Sequence, residues 1–125
     1  MDKKDTIKQV SELTGLTASG IRYYEKEGLI ETIERNAAGV RMFSQKDVDW
    51  IRFLARLKDM EMPVKMMKRY ALLRAQGAGT IRERMELLAV HKERMHRKIE
   101  HIKSHIALLD QKIEIYKEME RNINE

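Results

Sequence analysis

The sequence contains no cysteine and only one proline among its 125 residues. The lack of cysteine excludes disulfides, thiolate metal sites, iron–sulfur clusters and thiol redox switching. There is also no apolar run of about 18 residues, which argues against a transmembrane helix. The charged start of the chain does not resemble a signal peptide. We therefore expect a cytoplasmic protein with no membrane partner and no cofactor.

Charge, in contrast, is abundant, since 36% of the residues are charged and the net charge is +5. Positions 1–76 hold 15 Lys/Arg against 11 Asp/Glu, whereas positions 77–125 hold 10 against 9. A basic N-terminal part suits a polyanion, although charge alone fits a solvated surface equally well. No nucleophile–base pair, carboxylate dyad or phosphate-cradling glycine loop is visible, so we do not expect an enzyme.

The first part of the chain carries the signals of two short helices. Thr6 predicts an N-cap with Gln9 as its capping-box partner, and Gly15 predicts the end of the first helix. Thr17 predicts a second N-cap, and the helix that it begins runs to Gly28. Two helices joined by so tight a turn predict a helix-turn-helix, whose second helix would enter the major groove of DNA.

Two segments of alternating, β-branched character, 29–33 and 40–43, flank a loop of turn-forming residues. They predict a small hairpin, or wing, whose loop includes Arg35, Asn36 and Gly39. An arginine on such a loop is placed to reach a neighbouring nucleic-acid backbone, and a solvent-facing charge is the alternative.

Two further helices are predicted before a break at positions 76–79. Ser44, with Asp47 at the third helical position, predicts the N-cap of the third helix. This helix ends before Pro63, which suits the first turn of the fourth. Trp50 and the methionines of both helices predict core residues, and the alternative is the lining of an apolar effector pocket.

A single long helix is predicted from Thr80, a capping-box candidate with Glu83, to the end of the chain, because this part has neither glycine nor proline. Its apolar residues recur in steps of four and three, with Lys92 as the one polar member of the series. About 75 preceding residues cannot cover so long a stripe, so a helix of a second copy is expected to do so. The predicted dimerisation residues are Ile81, Met85, Leu88, Met95, Ile99, Ile102, Ile106, Leu109, Ile113 and Tyr116.

Four histidines, His91, His96, His101 and His105, lie on the same predicted helix. His101 and His105 are spaced i, i+4, a spacing that allows metal chelation or a pH switch. Because the heptad repeat places all four histidines beside the predicted dimer interface or towards solvent, we favour ordinary solvated residues and expect no metal site.

The segment 21–30, IRYYEKEGLI, resembles the signature of MerR-family regulators, an arginine and two tyrosines followed by Glu and Gly-Leu. Residues 39–44, GVRMFS, are similar to the wing of that family. The resemblance covers the whole chain and implies a mainly α fold. It implies a winged helix-turn-helix domain at 1–76, a linker at 77–79 and a dimerisation helix at 80–125 that forms an antiparallel coiled coil.

The resemblance also implies a function, sequence-specific regulation of transcription. A homodimer would bind a palindromic site in double-stranded promoter DNA and distort it in response to an effector, acting on RNA polymerase indirectly. The implied phosphate-binding residues are Arg22, Tyr23, Tyr24, Arg41 and Lys58, and the implied base-reading residues are Thr17, Ala18 and Ser19. The sequence departs from the family pattern at 61–63, Glu-Met-Pro, where a glycine is common.

The effector is not indicated by the sequence. Metal-sensing members use cysteines, which this chain lacks, and multidrug-sensing members have a large C-terminal ligand domain, which we do not expect here. The short AdhR/NmlR branch is similar over 47–54, but Arg56 occupies the place of its cysteine. The alternative function is a coiled-coil protein-interaction adaptor, which salt-insensitive binding to a protein, without DNA affinity, would distinguish.

Overall fold

The structure, a computed structural model, describes residues 4–124. It is mainly helical, as predicted, and contacts divide the chain into two units, Met1–Leu87 and Leu88–Glu125. The described elements are α1 (Ile7–Thr14), α2 (Ala18–Lys26), α3 (Gln45–Asp59), α4 (Val64–Ala75), a 3₁₀ turn (Ala78–Thr80) and α5 (Ile81–Asn124). Among the residues described, no helix is both long enough and apolar enough to cross a membrane.

The predicted caps set the helix boundaries of the first unit. The Thr6 hydroxyl accepts a hydrogen bond from the Gln9 N–H, and the Gln9 side chain accepts one from the Thr6 N–H at 2.8 Å. Ser44 and Asp47 form the same reciprocal pair at the start of α3. Gly15 adopts a left-handed conformation with φ of 79°, which ends α1 after Thr14.

The core of the first unit forms where α1 packs against α2 and α3. Val10, Ile21 and Ile51, one from each helix, are fully buried, as their helical spacing predicts. Of the methionines interpreted as core residues, Met62 and Met67 are buried, whereas Met66 is only partly buried and Met60 is 38% exposed. The helix-turn-helix is therefore held on its inner side by apolar packing, and its outer side is left for other contacts.

The predicted hairpin is only partly correct. Within residues 4–124, pairing around the wing is limited to isolated bridges, Arg35 with Arg41 and Asp5 with Phe43. The segment 29–33 is not a strand, because Leu29, Ile30 and Ile33 enter the core and their N–H groups bond back to α2, whereas Glu31 and Thr32 are exposed. The N–H of Leu29 donates to the carbonyl of Tyr24 at 2.9 Å. Burial of these three residues, rather than strand pairing, accounts for the apolar character of the segment.

The start of α5 also differs from the prediction. Thr80 lies in the 3₁₀ turn and is buried, and its hydroxyl lies within hydrogen-bond distance of the carbonyl oxygens of Leu73, at 2.6 Å, and Gly77, at 2.8 Å, either of which can accept its single proton. A hydroxyl used in this way ties the turn to the end of α4 rather than capping α5 with Glu83. The hydroxyl is bound outside α5, because the accepting carbonyl of Leu73 lies seven residues earlier, in α4.

The second unit consists of the remainder of α5. The ten predicted dimerisation residues of α5, taken over both units, are between 36% and 64% exposed. Leu108 and Ile115 are exposed as well, although the heptad pattern does not include them. They lie outside the stripe of predicted dimerisation residues, on the outward side of the helix, so the exposed apolar side chains of α5 are not confined to that stripe.

Replacing Glu61 with glycine is expected to stabilise the first unit. Glu61 has φ of 58°, a left-handed conformation that costs a side chain-bearing residue energy and costs glycine almost none. We expect Glu61→Gly to raise the free energy of unfolding by about 0.5–1 kcal/mol. Thermal and denaturant unfolding would measure it, with Glu61→Ala as the control for loss of the side chain. An unchanged or lower stability for Glu61→Gly alone would contradict the strain.

Candidate nucleic-acid interface

The first turn of α2 brings the three predicted base-reading residues together. The Thr17 hydroxyl accepts a hydrogen bond from the Gly20 N–H at 3.0 Å and lies 3.3 Å from the Ser19 hydroxyl. Thr17 and Ser19 are exposed and Ala18 is partly exposed. Capping therefore fixes the start of α2 without burying it, and both hydroxyls keep acceptor lone pairs directed away from the helix.

Farther along α2, the exposed face carries Arg22, Tyr23 and Lys26, and the opposite face buries Ile21 and Tyr24. Among the described ion pairs, none involves Arg22 or Lys26. An exposed cation without a carboxylate partner is available to an anion from outside.

Tyr24 differs from its neighbours in being only 4% exposed. Burial, and secondly the nearby Tyr23, raises the pKa of its hydroxyl. The two tyrosine rings lie 6.0 Å apart, in a tilted arrangement. Tyr24 thus supports Tyr23 from the core side, and its predicted phosphate contact would have to come from the hydroxyl alone.

The wing loop is organised by its own predicted residues. The Asn36 side-chain oxygen accepts hydrogen bonds from the N–H groups of Ala38 and Val40 at 2.9 and 3.0 Å. Arg35 donates to the carbonyl of Gly39 at 2.8 Å across the loop. These bonds hold a compact, exposed turn in place of the longer predicted hairpin.

Glu25 joins α2 to the wing, a role that the sequence analysis missed. Its carboxylate accepts hydrogen bonds from Arg41 Nε at 2.9 Å and from the Ile33 N–H at 2.8 Å. Burial would raise the pKa of Glu25, but these two hydrogen bonds, together with the charges of Arg41 and Arg35, hold it below its ordinary value. Because Nε carries the bond, both Nη atoms of Arg41 remain available as donors.

Glu25→Gln is expected to destabilise the first unit by about 1–2 kcal/mol at neutral pH, because the charged partner of Arg41 is lost. A carboxylate with a lowered pKa stabilises the fold above its unfolded pKa, and this contribution disappears as the pH falls through the folded pKa. The stability difference between wild type and Glu25→Gln should therefore shrink below about pH 4.5. Urea unfolding at several pH values measures this, and a constant difference would contradict it.

A second ion pair, also not anticipated, links α4 to the end of α2. Lys68 Nζ donates to Glu27 Oε2 at 2.7 Å, across 41 positions of sequence. This hydrogen bond is the main reason that the pKa of Lys68 is raised, and Tyr23 contributes to it. Lys68 therefore places a cation near the exposed face of α2. Lys58, the predicted phosphate ligand at the end of α3, is exposed.

The histidines of α5 show no metal-binding arrangement in the part of the chain that is described. His96, His101 and His105 are exposed, as expected, but His91 is only 4% exposed, so the interpretation of all four as solvated residues is wrong for His91. His101 and His105 stack with ring centroids 5.6 Å apart. No group of three or more potential ligands that could hold a metal ion occurs among residues 4–124.

Two short helices joined by a tight turn and followed by a wing define the class of winged helix-turn-helix proteins. Exposed cations on the second helix, which take part in none of the described ion pairs, fit the same class. The profile of the MerR HTH family regulatory proteins matches residues 6–72. A transcriptional regulator of Haemophilus influenzae without an assigned role is 33% identical over 111 residues, which cover 89% of this chain and 82% of the relative. AdhR of Bacillus subtilis is 34% identical over 89 residues, which cover 71% of this chain and 64% of AdhR.

Among solved structures, HiNmlR is described as a MerR family regulator that lacks the sensor domain, bound to promoter DNA. It superposes with a TM-score of 0.75 and 32% identity, over 92% of this chain and 91% of HiNmlR. The chain therefore belongs to the MerR family of transcription regulators, which confirms the predicted resemblance, including that to the short AdhR/NmlR branch. The adaptor hypothesis finds no support among these relatives.

Proposed function

We propose that this chain is a homodimeric transcription regulator that binds a palindromic promoter site and distorts the DNA in response to an effector. The observation that carries this proposal is the exposed face of α2. Arg22 and Lys26 project there beside Tyr23, and neither takes part in any of the described ion pairs. Such a face suits the phosphate backbone at the edge of a major groove. That HiNmlR binds promoter DNA with a similar fold supports the same conclusion.

The proposal gives the residues two roles. Arg22, Tyr23, Arg41 and Lys58 bind phosphates, which sets affinity and register without reading sequence. Thr17, Ala18 and Ser19, in the first turn of α2, read base edges, the hydroxyls by hydrogen bonds and the methyl of Ala18 by apolar contact. Tyr24 adds its hydroxyl to the phosphate contacts from a buried position.

Dimerisation is proposed to occur through α5, with the two helices antiparallel. The exposed stripe of α5 would otherwise leave a contiguous apolar face in water. A second copy of the same helix supplies the complementary stripe, and a two-fold dimer matches a palindrome with one α2 in each half-site.

Distortion of the DNA requires that the two contact elements act as one rigid body. Glu25 provides this connection, since its carboxylate bonds both to Arg41 at the wing and to Ile33 in the segment that leads there. A movement of α2 therefore carries Arg41 with it. Phosphate contacts held at a fixed spacing impose that spacing on the duplex, which is indirect readout.

Fluorescence anisotropy with the upstream region of its own gene, and with a scrambled duplex, tests the proposal. We expect binding to the upstream region to be at least about 1,000-fold tighter than to the scrambled duplex, with affinity that falls steeply as salt rises. Equal, weak binding to both duplexes would mean that the basic face of α2 binds DNA without sequence specificity. That result would overturn the proposed function as a regulator.

A further inference from the structure

A cavity of about 440 Å³ lies in the first unit, lined by the first half of α3 and the last half of α4. Trp50, Phe53 and Tyr70 line it, so three of the seven aromatic residues of the chain meet at one place. The planes of Trp50 and Tyr70 are nearly parallel, at 11°, and Phe53 lies 5.5 Å from Tyr70 between ring centroids. The volume falls within the range of ligand sites, about 300–1,000 Å³.

The cavity is also positively charged. Lys46, Arg74 and Arg84 line it, against a single carboxylate, Asp49. The guanidinium carbon of Arg74 lies 4.2 Å from the centre of the Trp50 ring. No described carboxylate lies within ion-pair distance of Lys46, Arg74 or Arg84. Arg84 donates to the Thr80 hydroxyl and the Gly77 carbonyl, which orient it without neutralising it.

We propose that this cavity binds a small aromatic organic anion, such as an aromatic carboxylate. The ring of the ligand would pack on Tyr70 and Phe53, where aromatic contacts favour flat molecules. Its acid group would lie between Lys46 and Arg74, because a guanidinium donates two parallel hydrogen bonds to a carboxylate. A neutral ring compound lacks this second contribution and is expected to bind more weakly, and a cationic one is also repelled by the surplus of positive charge.

The same cavity is connected to the DNA-binding elements. The Trp50 indole N–H donates to the Leu29 carbonyl at 2.8 Å in a buried bond, and the Leu29 N–H donates to the carbonyl of Tyr24 in α2 at 2.9 Å. A ligand that shifts Trp50 therefore acts on the end of α2 through two hydrogen bonds. This coupling rests on the proposed function, whereas ligand binding itself does not. By linkage, ligand and DNA must change the affinity of one another by the same factor.

Ligand binding is tested on the full chain without DNA, with 2-naphthoate as the probe and 2-naphthamide as its neutral match. The chain has one tryptophan, so the indole N–H gives a single, unambiguous NMR signal from the cavity wall. We expect 2-naphthoate to shift this signal saturably, and 2-naphthamide to bind at least about tenfold more weakly.

Variants locate the site. Arg74→Gln and Lys46→Gln should each weaken binding of 2-naphthoate about tenfold, by loss of one charged hydrogen bond. Lys46 is exposed, so Lys46→Gln keeps the test valid if Arg74→Gln does not fold. Lys65→Gln removes the same charge from α4 outside the cavity and should leave binding unchanged. No indole shift, equal binding of the amide, or equal loss in Lys65→Gln would each overturn the site.

Coupling is tested last, by anisotropy with the upstream duplex at saturating 2-naphthoate. We expect the Kd for DNA to change at least fivefold, and Lys46→Gln to remove the change at the same probe concentration. Binding of the probe with no change in DNA affinity would overturn the coupling alone. Absence of DNA binding in the first place would instead count against the proposed function, since the indole signal reports on the ligand independently.

Discussion

Ile102→Asp is expected to dissociate the dimer and to lower the affinity for the upstream duplex by at least about 100-fold. Ile102 lies in the centre of the apolar stripe of α5, and in the dimer both copies would carry a carboxylate into an apolar interface. A separated protomer contacts one half-site only and loses the gain in affinity from binding two linked sites. Sedimentation and anisotropy measure the two effects on the same sample.

Ala107→Asp is the matched control, since it adds the same charge at an exposed position of α5 that lies outside the stripe of predicted dimerisation residues. We expect it to leave both the oligomeric state and the DNA affinity close to wild type. A monomer with unreduced DNA affinity in Ile102→Asp would contradict the dimeric binding mode. A dimer that persists would place the interface elsewhere on the chain.

Arg22→Ala is expected to weaken DNA binding at least about tenfold on every sequence, the upstream duplex and the scrambled duplex alike. Each dimer would lose two charged phosphate contacts, so the slope of log affinity against log salt should fall by about two. A base contact behaves differently, because its loss changes the preference between sequences and leaves the salt slope unchanged. Anisotropy over a series of salt concentrations separates the two.

Arg97→Ala provides the charge-matched control, because Arg97 is exposed on α5 and faces away from the seam. It lowers the net charge of the chain by the same amount without touching α2. We expect its affinity and salt slope to remain at the wild-type values. If Arg22→Ala behaved like Arg97→Ala, the role carried over from the family to Arg22 would be wrong.

The features that the sequence predicted well are those that depend on neighbours along the chain. The capping boxes of Thr6 and Ser44 and the left-handed Gly15 are formed within four residues, so residue type alone indicates them. The first three helices are therefore close to the expected bounds. The repeated apolar spacing of α5 is also local, since it depends only on helical periodicity.

The features that the sequence did not indicate depend on contacts between distant residues. Segment 29–33 has the β-branched character of a strand, and only the position of the core shows that Leu29, Ile30 and Ile33 are buried without strand pairing. Thr80 matches a capping signal, yet its hydroxyl is taken by the carbonyl of Leu73. The hydrogen bond from Arg41 to Glu25 joins residues that lie 16 positions apart in the sequence. No spacing rule predicts such a pair, although Glu25 lies within the family signature.

The aromatic cavity illustrates the same limit. The sequence predicts Trp50 as a core residue, with the lining of an effector pocket as the alternative. In the structure, Trp50 is 8% exposed, belongs to the core and also lines the cavity. Periodicity assigns a residue to one face of a helix, but the edge of a large ring can belong to a second surface.

The exposed apolar stripe of α5 has a consequence for how the protein folds and assembles. The first unit has its own buried core and can fold as an isolated chain, at a rate that does not depend on how much protein is present. The apolar stripe of α5 continues through the second unit and is proposed to pair with a second copy, so the stability of that pairing should rise with protein concentration. Thermal melting is therefore expected to show two transitions. The Tm of one does not depend on protein concentration, and the Tm of the other rises as the protein concentration is raised. At low abundance, occupancy of a palindrome would then vary with the second power of protomer concentration.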